Sequence, residues 1–124
     1  MSGNRLPENL VETIGQILAR HVGPDQAIKR SDIRGRLYQL SNLYRSVNDR
    51  QVRSAIETLR EDGALICSLG SDSDGYYQAG NMAEYAQFRQ FYTAYATTIF
   101  NRIRKMDQEA EKKWGGSALQ APLL

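Results

Sequence analysis

The chain has 124 residues, of which 41% are hydrophobic and 24% are charged. This length suits one compact domain with an additional element. Sixteen Lys and Arg stand against fourteen Asp and Glu, and the resulting net charge of +2 discriminates little between classes of partner. The distribution of charge along the chain is therefore more informative than its total.

Several classes of site and segment are excluded by composition. Cys67 is the only cysteine and His21 the only histidine, which excludes an intrachain disulfide and a thiolate metal cluster. Cys67 is expected to be a buried thiol. No apolar run approaches the ~20 residues that span a bilayer, and residues 1–7 lack the apolar core of a signal peptide. We therefore expect a soluble cytoplasmic protein of a reducing compartment, with no cofactor and no metal.

Two short helices are predicted in the N-terminal third. Residues 1–6 are expected to be a frayed lead-in, and Pro7 suits the first turn of a helix that runs to about residue 22. Residues 23–25 break this helix, and residues 27–29 are able to pair with a later hairpin. Ser31 is a plausible cap for a second helix over residues 32–40. The inward positions are Leu10, Ile14, Ile17, Leu18 and His21 in the first helix, and Ile33, Leu37 and Leu40 in the second.

A third helix has the clearest local signals. Asn48 and Gln51 are spaced as a capping box, and Val47 can pack against Val52. Residues 62–63 are Asp-Gly and end the helix. One face is apolar, with Val52, Ala55, Ile56 and Leu59, and the other carries Arg50, Arg53, Ser54 and Glu57.

A hairpin follows the third helix. Residues 64–68 and 76–79 read as two short strands joined by the Gly-containing segment 69–75. Tyr76 and Tyr77 point to opposite faces of their strand. Both are expected to pack in the core or at its rim, with stacking of one of them on a base as the alternative. Tyr38 and Tyr44 are expected to be packing residues as well.

The basic residues concentrate between residues 29 and 60. This segment holds eight basic side chains (Lys29, Arg30, Arg34, Arg36, Arg45, Arg50, Arg53 and Arg60) and three acidic ones (Asp32, Asp49 and Glu57). A local excess of this kind attracts a polyanion.

A long fourth helix is predicted over residues 81–114, opened by Asn81 and Glu84 as a second capping box. Its apolar stripe is Tyr85, Phe88, Tyr92, Tyr95, Ala96, Ile99, Ile103, Met106 and Ala110. Some 32 residues of helix reach about 48 Å, whereas an 80-residue domain is about 30 Å across. A second copy of the same helix is the simplest way to cover the apolar residues that extend beyond the domain. The spacing favours an intertwined or antiparallel pair, and the alternative is a helix that bends or breaks and folds back on its own domain.

Several short sequence segments, taken together, resemble the small winged-helix proteins common in bacteriophage and prophage genomes. They are residues 21–23 and 26–28, residues 48–53 with Ile56 and residues 59–60, residues 62–68, residues 75–79, and the capped start at residues 81–84. The resemblance covers about residues 8–85. It implies a winged-helix fold with the third helix in the recognition position, but no particular target, since such proteins serve in replication, regulation and packaging. The hairpin tip, residues 71–74, departs from the family because Asp72 and Asp74 repel phosphates.

The predicted fold is mainly α with a small β-hairpin. A winged helix-turn-helix domain occupies residues 1–80, a long helix that forms a homodimer residues 81–114, and a flexible tail residues 115–124. The dimerisation residues are Tyr85, Phe88, Tyr92, Tyr95, Ile99, Ile103 and Met106.

The expected function is non-catalytic binding of double-stranded DNA, as a dimeric regulator or a replication accessory protein. The DNA-binding residues are Lys29, Arg30, Ser31, Arg34, Arg45, Asn48, Arg50, Arg53 and Ser54. Arg50 and Arg53 are placed to pair with guanine edges in the major groove. The alternative for this face is a solvated surface with an Arg53–Glu57 ion pair. Two alternatives remain for the whole protein: an adaptor or inhibitor that binds a host protein complex, and a structural component of packaging.

Overall fold

The computed structural model describes residues 7–70 and 74–115. In this part of the chain the order of elements is α1 (Leu10–Leu18), α2 (Arg30–Leu40), α3 (Asp49–Glu61), β1 (Ile66–Ser68), β2 (Tyr76–Gln78) and α4 (Met82–Trp114). Short 3₁₀ helices at Pro24–Gln26 and Asn42–Tyr44 precede α2 and α3. The protein is thus mainly helical with a small two-stranded antiparallel sheet, as predicted. The predicted lead-in at residues 1–6, the hairpin tip at residues 71–73 and the tail at residues 116–124 lie outside the described residues.

The main core is built from the apolar faces of α1, α2 and α3. It contains Leu10, Ile14, Ile17 and Leu18 from α1, Ile33 and Leu37 from α2, and Val52, Ala55 and Ile56 from α3. These inward positions were predicted and are confirmed. The inward placement of Leu40 is wrong: it is the last residue of α2 and is 62% exposed.

The first helix ends four residues earlier than predicted, at Leu18 instead of Val22. The chain leaves the helix because the next residues pair with β2. The Gln78 amide donates to the His21 carbonyl at 2.7 Å, and the Gly23 amide donates to the Gln78 carbonyl at 2.9 Å. His21 is consequently outside the buried core, and its Nδ1 lies 2.7 Å from the carbonyl oxygen of Gln26.

The second helix begins earlier than predicted, at Arg30, and Lys29 occupies its cap position without a side-chain hydrogen bond. Ser31 is therefore not the cap but an exposed residue of the first turn. The third helix has the predicted start, and its end is confirmed too. Gly63 has a φ of 95°, the left-handed conformation that glycine adopts without steric cost. Its amide donates to Arg60, and the Ala64 amide donates to Leu59.

The hairpin is covered on both faces. β1 and β2 pair with Cys67 opposite Tyr77 and Ser68 opposite Tyr76, and Ile28 forms an antiparallel bridge to Tyr76, as predicted for residues 27–29. Tyr76 is fully buried in the main core, and Tyr77 is 4% exposed in a second cluster with Cys67 and Phe88. Stacking of either tyrosine on a base, the predicted alternative, is therefore wrong.

The fourth helix starts with a modified capping box. The Asn81 Oδ1 accepts from the Glu84 amide at 2.9 Å, but the Glu84 Oε1 accepts from Gly80 instead of from Asn81. The helix then continues without a break to Trp114, so the break in the predicted alternative does not occur. By its contacts the chain divides into two units, Met1–Phe88 and Arg89–Leu124. Within the described residues, no helix has the length and apolar character that crossing a membrane requires.

Candidate nucleic-acid interface

The exposed face of α3 is held in place by its cap and by the core beneath it. The Asn48 Oδ1 accepts from the Gln51 amide at 2.9 Å, and the Gln51 Oε1 accepts from the Asn48 amide at 3.0 Å. Val52, Ala55 and Ile56 anchor the opposite face in the core. The cap thus fixes the direction in which α3 starts, and the buried residues fix which side of the helix faces solvent.

The N-terminal half of this face is cationic. Arg50, Arg53 and Ser54 are exposed, whereas Glu57 and Glu61 lie in the C-terminal half. The positive end of the helix dipole adds to the charge of the two arginines. We call Arg50, Arg53 and Ser54 the α3 face.

Neither arginine of the α3 face is neutralised by another residue that the structure describes. Over residues 7–70 and 74–115, the side chains of Arg50 and Arg53 make no ion pair and no hydrogen bond. The Arg53–Glu57 ion pair, the predicted alternative, is not formed. Both guanidinium groups are therefore available to an anionic partner.

Arg30 has an internal role. Its Nε donates to both carboxylate oxygens of Asp49, at 2.9 Å each, and its Nη1 donates to the Tyr76 hydroxyl at 2.9 Å. Burial alone lowers the pKa of Arg30, but the bonds to Tyr76 and Asp49 raise it more, so the pKa lies above its ordinary value. Arg30 thus joins the first turns of α2 and α3 to β2, and we leave it out of the proposed contact set.

Other predicted contact residues surround these two helix starts. Lys29 and Ser31 are exposed on either side of Arg30 in sequence, and Arg45 is exposed just before α3. Arg34 lies one turn beyond Arg30 and is half-buried. Its Nε is covered and has no acceptor among the described residues. Asn48 is exposed, although its side-chain oxygen is occupied by the cap.

The connection between α2 and α3 is tied down by two tyrosines. Tyr44 is buried in the core, as predicted, whereas Tyr38 is 39% exposed and its predicted packing role is wrong. The Tyr38 hydroxyl donates to the Val47 carbonyl at 3.0 Å, and the Tyr44 hydroxyl lies 3.0 Å from the Thr13 Oγ1. These bonds hold Arg45 and the start of α3 on a fixed backbone.

Arg60 belongs to the interior, which the charge count did not indicate. Its Nε donates to the Ile66 carbonyl at 2.9 Å, and its guanidinium lies 5.1 Å from the Phe88 ring centre and 5.7 Å from that of Tyr76. The available signal was its position: Arg60 directly follows Leu59 at the edge of the buried face of α3. The basic excess of the surface is accordingly smaller than the sequence count.

The described part of the chain holds no cluster of three or more His, Cys, Asp or Glu side chains placed to bind a metal. Cys67 is buried, and this burial raises the pKa of its thiol, although the charge of Arg60 offsets part of the effect. A protonated buried thiol is a poor nucleophile.

The predicted dimerisation residues fall into two groups. Phe88 is buried with Cys67 and Tyr77, and Tyr85 packs against the same cluster. Tyr92, Tyr95 and Met106 are exposed, and Ile99 and Ile103 are half-buried. The first group contributes to the core of its own chain, so only the second is considered further as an interface.

Comparison of the chain with protein-family models, curated proteins and solved structures finds no significant match. The proposals below are therefore argued from this chain's own residues and contacts.

Proposed function

We propose that this protein binds double-stranded DNA, with the N-terminal half of α3 in the major groove and the α1–β2 region as a winged helix-turn-helix. In the cell this activity would serve a regulator or a replication accessory protein. The observation that carries the proposal is the α3 face. Its two arginines have no carboxylate partner among the described residues, on a helix whose start is rigidly capped.

The dimensions and chemistry of this face fit the groove. An α-helix with its side chains is about 10–12 Å wide, and the major groove is about 12 Å wide. A recognition helix contacts base edges with its N-terminal residues. Arg50 and Arg53 are suited to bidentate bonds with guanine, and Ser54 can donate to a base or phosphate. Glu57 and Glu61 lie further along the helix, where the docked helix leaves the bases.

Phosphate contacts come from the residues around the α3 face. Lys29 and Ser31 lie at the start of α2, where free amides favour an anion. Arg45 precedes α3 and is placed to contact the flanking strand. The Arg30–Asp49 ion pair keeps these groups in register, because it joins the first residue of α2 to the first residue of α3.

The winged-helix part of the proposal is supported by the order of elements. Three helices are followed by the β1–β2 hairpin, and Ile28 adds a bridge on the other edge of β2. We assign no DNA contact to the hairpin tip.

The test is a double substitution, Arg50→Ala with Arg53→Ala. Binding to a labelled duplex selected from a random library would be followed by fluorescence anisotropy. Each bidentate contact with the right base is worth about 1–3 kcal/mol of discrimination, so on this duplex we expect affinity to fall at least about thirty-fold. The thermal transition should stay nearly unchanged, because both side chains are solvent-exposed.

A matched control removes the same charge from another surface. Arg20 and Arg36 line a shallow cavity between α1 and α2 with Thr13 and Gln39. Arg20→Ala with Arg36→Ala should retain most of the affinity. Equal losses in the two double variants would contradict the proposal, since binding would then depend only on net charge.

A protein-binding function is the second candidate. It is favoured by the net charge of only +2 and by the acidic residues at the hairpin tip. Salt dependence distinguishes the two functions. The logarithm of a DNA-binding constant falls linearly with the logarithm of salt concentration, by about 0.9 per phosphate contacted. A protein partner would be favoured if the protein has no measurable affinity for duplex DNA, or if its affinity does not fall with salt in this way.

A further inference from the structure

We infer that α4 pairs antiparallel with α4 of a second copy of this chain, about a two-fold axis that passes beside Ile99. This inference concerns the helix beyond Phe88 and does not depend on DNA binding. From Arg89 to Gly115 no residue is buried. The side chains of Tyr95 and Met106 are 59% and 69% exposed.

The first support is the symmetry of the apolar spacing. Counted from Ile99 towards the C-terminus, apolar residues lie at four, seven and eleven positions, at Ile103, Met106 and Ala110. Counted towards the N-terminus, the same three steps reach Tyr95, Tyr92 and Phe88. In a two-fold interface residue i contacts residue j and j contacts i. These three pairs of positions satisfy this condition for an antiparallel pair, whereas Ala96, three residues before Ile99, has Arg102 as its counterpart.

The resulting layers match large side chains with smaller or flexible ones. Ile99 meets Ile99 of the second copy at the axis. Tyr95 then faces Ile103, and Tyr92 faces Met106. The next layer would place Ala110 against Phe88, which is already buried within its own chain, so the apolar contact ends there.

The spacing also argues against a left-handed supercoil. Three apolar positions in eleven residues correspond to about 3.67 residues per turn. This period is close to the 3.6 of an ordinary α-helix, so the stripe stays on one face without a left-handed supercoil.

Charge complementarity supports the same arrangement. Asp107 follows Arg89 by 18 residues, which are five turns of helix, so both lie on one edge of the stripe. Equivalent edges of the two helices face each other in an antiparallel two-fold pair. Arg89 lies ten residues before Ile99, and it therefore reaches the second copy between Asp107 and Glu111.

The first test is the mass of the full chain in solution, measured by sedimentation equilibrium. The chain weighs 14.0 kDa, so the pair should weigh twice that, 28.0 kDa. Ile99→Glu should shift the population to the monomer, while Thr97→Glu, on the opposite face, should remain a dimer. A monomeric wild-type protein at micromolar concentration would overturn the inference, as would a dimer that tolerates Ile99→Glu. Circular dichroism of each variant reports whether it remains folded.

The second test distinguishes the direction of pairing by disulfide formation under mild oxidation. Ile99→Cys should crosslink with itself, and a mixture of Tyr95→Cys and Ile103→Cys should give the mixed dimer. Tyr95→Cys alone should not crosslink. Its two copies would be eight residues apart along the helix, about 12 Å, beyond the ~7 Å Cα separation that a disulfide spans. The wild-type chain is the control, since its only thiol is buried. Crosslinking of Tyr95→Cys with itself and no mixed dimer would mean a parallel pair and would overturn the inference.

Discussion

At the scale of the residue, Arg30 has the greatest structural importance among the predicted contact residues. It bonds Asp49 at the start of α3 and the hydroxyl of Tyr76 in β2. Hydrogen bonds to charged groups contribute about 1.5–3 kcal/mol each when buried. Asp49 is 46% exposed, so its pair with Arg30 contributes less.

Arg30→Ala should therefore lower the free energy of unfolding by more than Asp49→Ala does. The reason is that Arg30→Ala also removes a hydrogen bond to the hydroxyl of a fully buried tyrosine, Tyr76. Urea denaturation of both variants measures the difference, and Tyr76→Phe serves as the control for the hydroxyl. Equal effects of Arg30→Ala and Asp49→Ala would mean that the bond to Tyr76 contributes nothing.

A second prediction at this scale concerns pH. Burial raises the pKa of the Cys67 thiol above its ordinary value of 9.0, so the folded protein keeps this proton to a higher pH than the unfolded chain. The stabilisation is complete below the ordinary value and is lost as pH rises through the folded pKa. Unfolding free energies measured at increasing alkaline pH should fall less steeply in Cys67→Ala. The unfolding free energy of Cys67→Ala should still decline at a higher pH, because burial also raises the pKa of Tyr77. Parallel curves for Cys67→Ala and wild type would contradict a raised pKa of Cys67 in the folded protein.

At the scale of the element, α3 depends on its capping box. Asn48→Ala leaves the amide of Gln51 without its acceptor, at a cost of about 1 kcal/mol. For a domain of this size that loss lowers the melting temperature by about 4–8 °C. Asn48→Ser keeps a capping oxygen and should recover most of the loss in a thermal scan followed by circular dichroism. Failure of serine to recover it would mean that Asn48 acts through another contact.

The same scale shows where sequence reasoning succeeds. The start of α3 was predicted correctly because all the residues of a capping box lie within four positions of the chain. Its end was predicted correctly because Gly63 adopts the left-handed conformation that ends the helix locally. The start of α2 is missed because Arg30 finds its partners 19 and 46 positions away. The end of α1 is missed because its continuation pairs with Gln78. Contacts between distant segments leave no local signal. Arg60 differs, because its position directly after Leu59 at the edge of the buried face of α3 was a local signal.

In the candidate site, too, local features could be predicted from the sequence and contacts between distant segments could not. The outward side of α3 was predictable, since the apolar period of one helix identifies both its faces. Which arginines remain available was not. Arg30 and Arg53 look equivalent in sequence, yet one pairs with Asp49 and the other has no partner among the described residues.

At the scale of the whole molecule, the two proposals combine into a prediction about the DNA. A two-fold dimer presents two copies of α3 related by the same axis, and half-sites then form an inverted repeat. Selection from a random duplex library should enrich inverted repeats with wild-type protein and single half-sites with Ile99→Glu. Direct repeats would contradict a two-fold dimer.

The measurement that tests the central claim most directly is the titration of isotope-labelled protein with duplex DNA, followed by amide chemical shifts. The account predicts that the largest changes fall on the first two turns of α3, at residues 49–54, with smaller ones at residues 29–31 and 45. The C-terminal half of α3 and the α4 stripe should be little affected. Changes confined to residues 57–62 or to α4, with residues 49–54 unmoved, would contradict it.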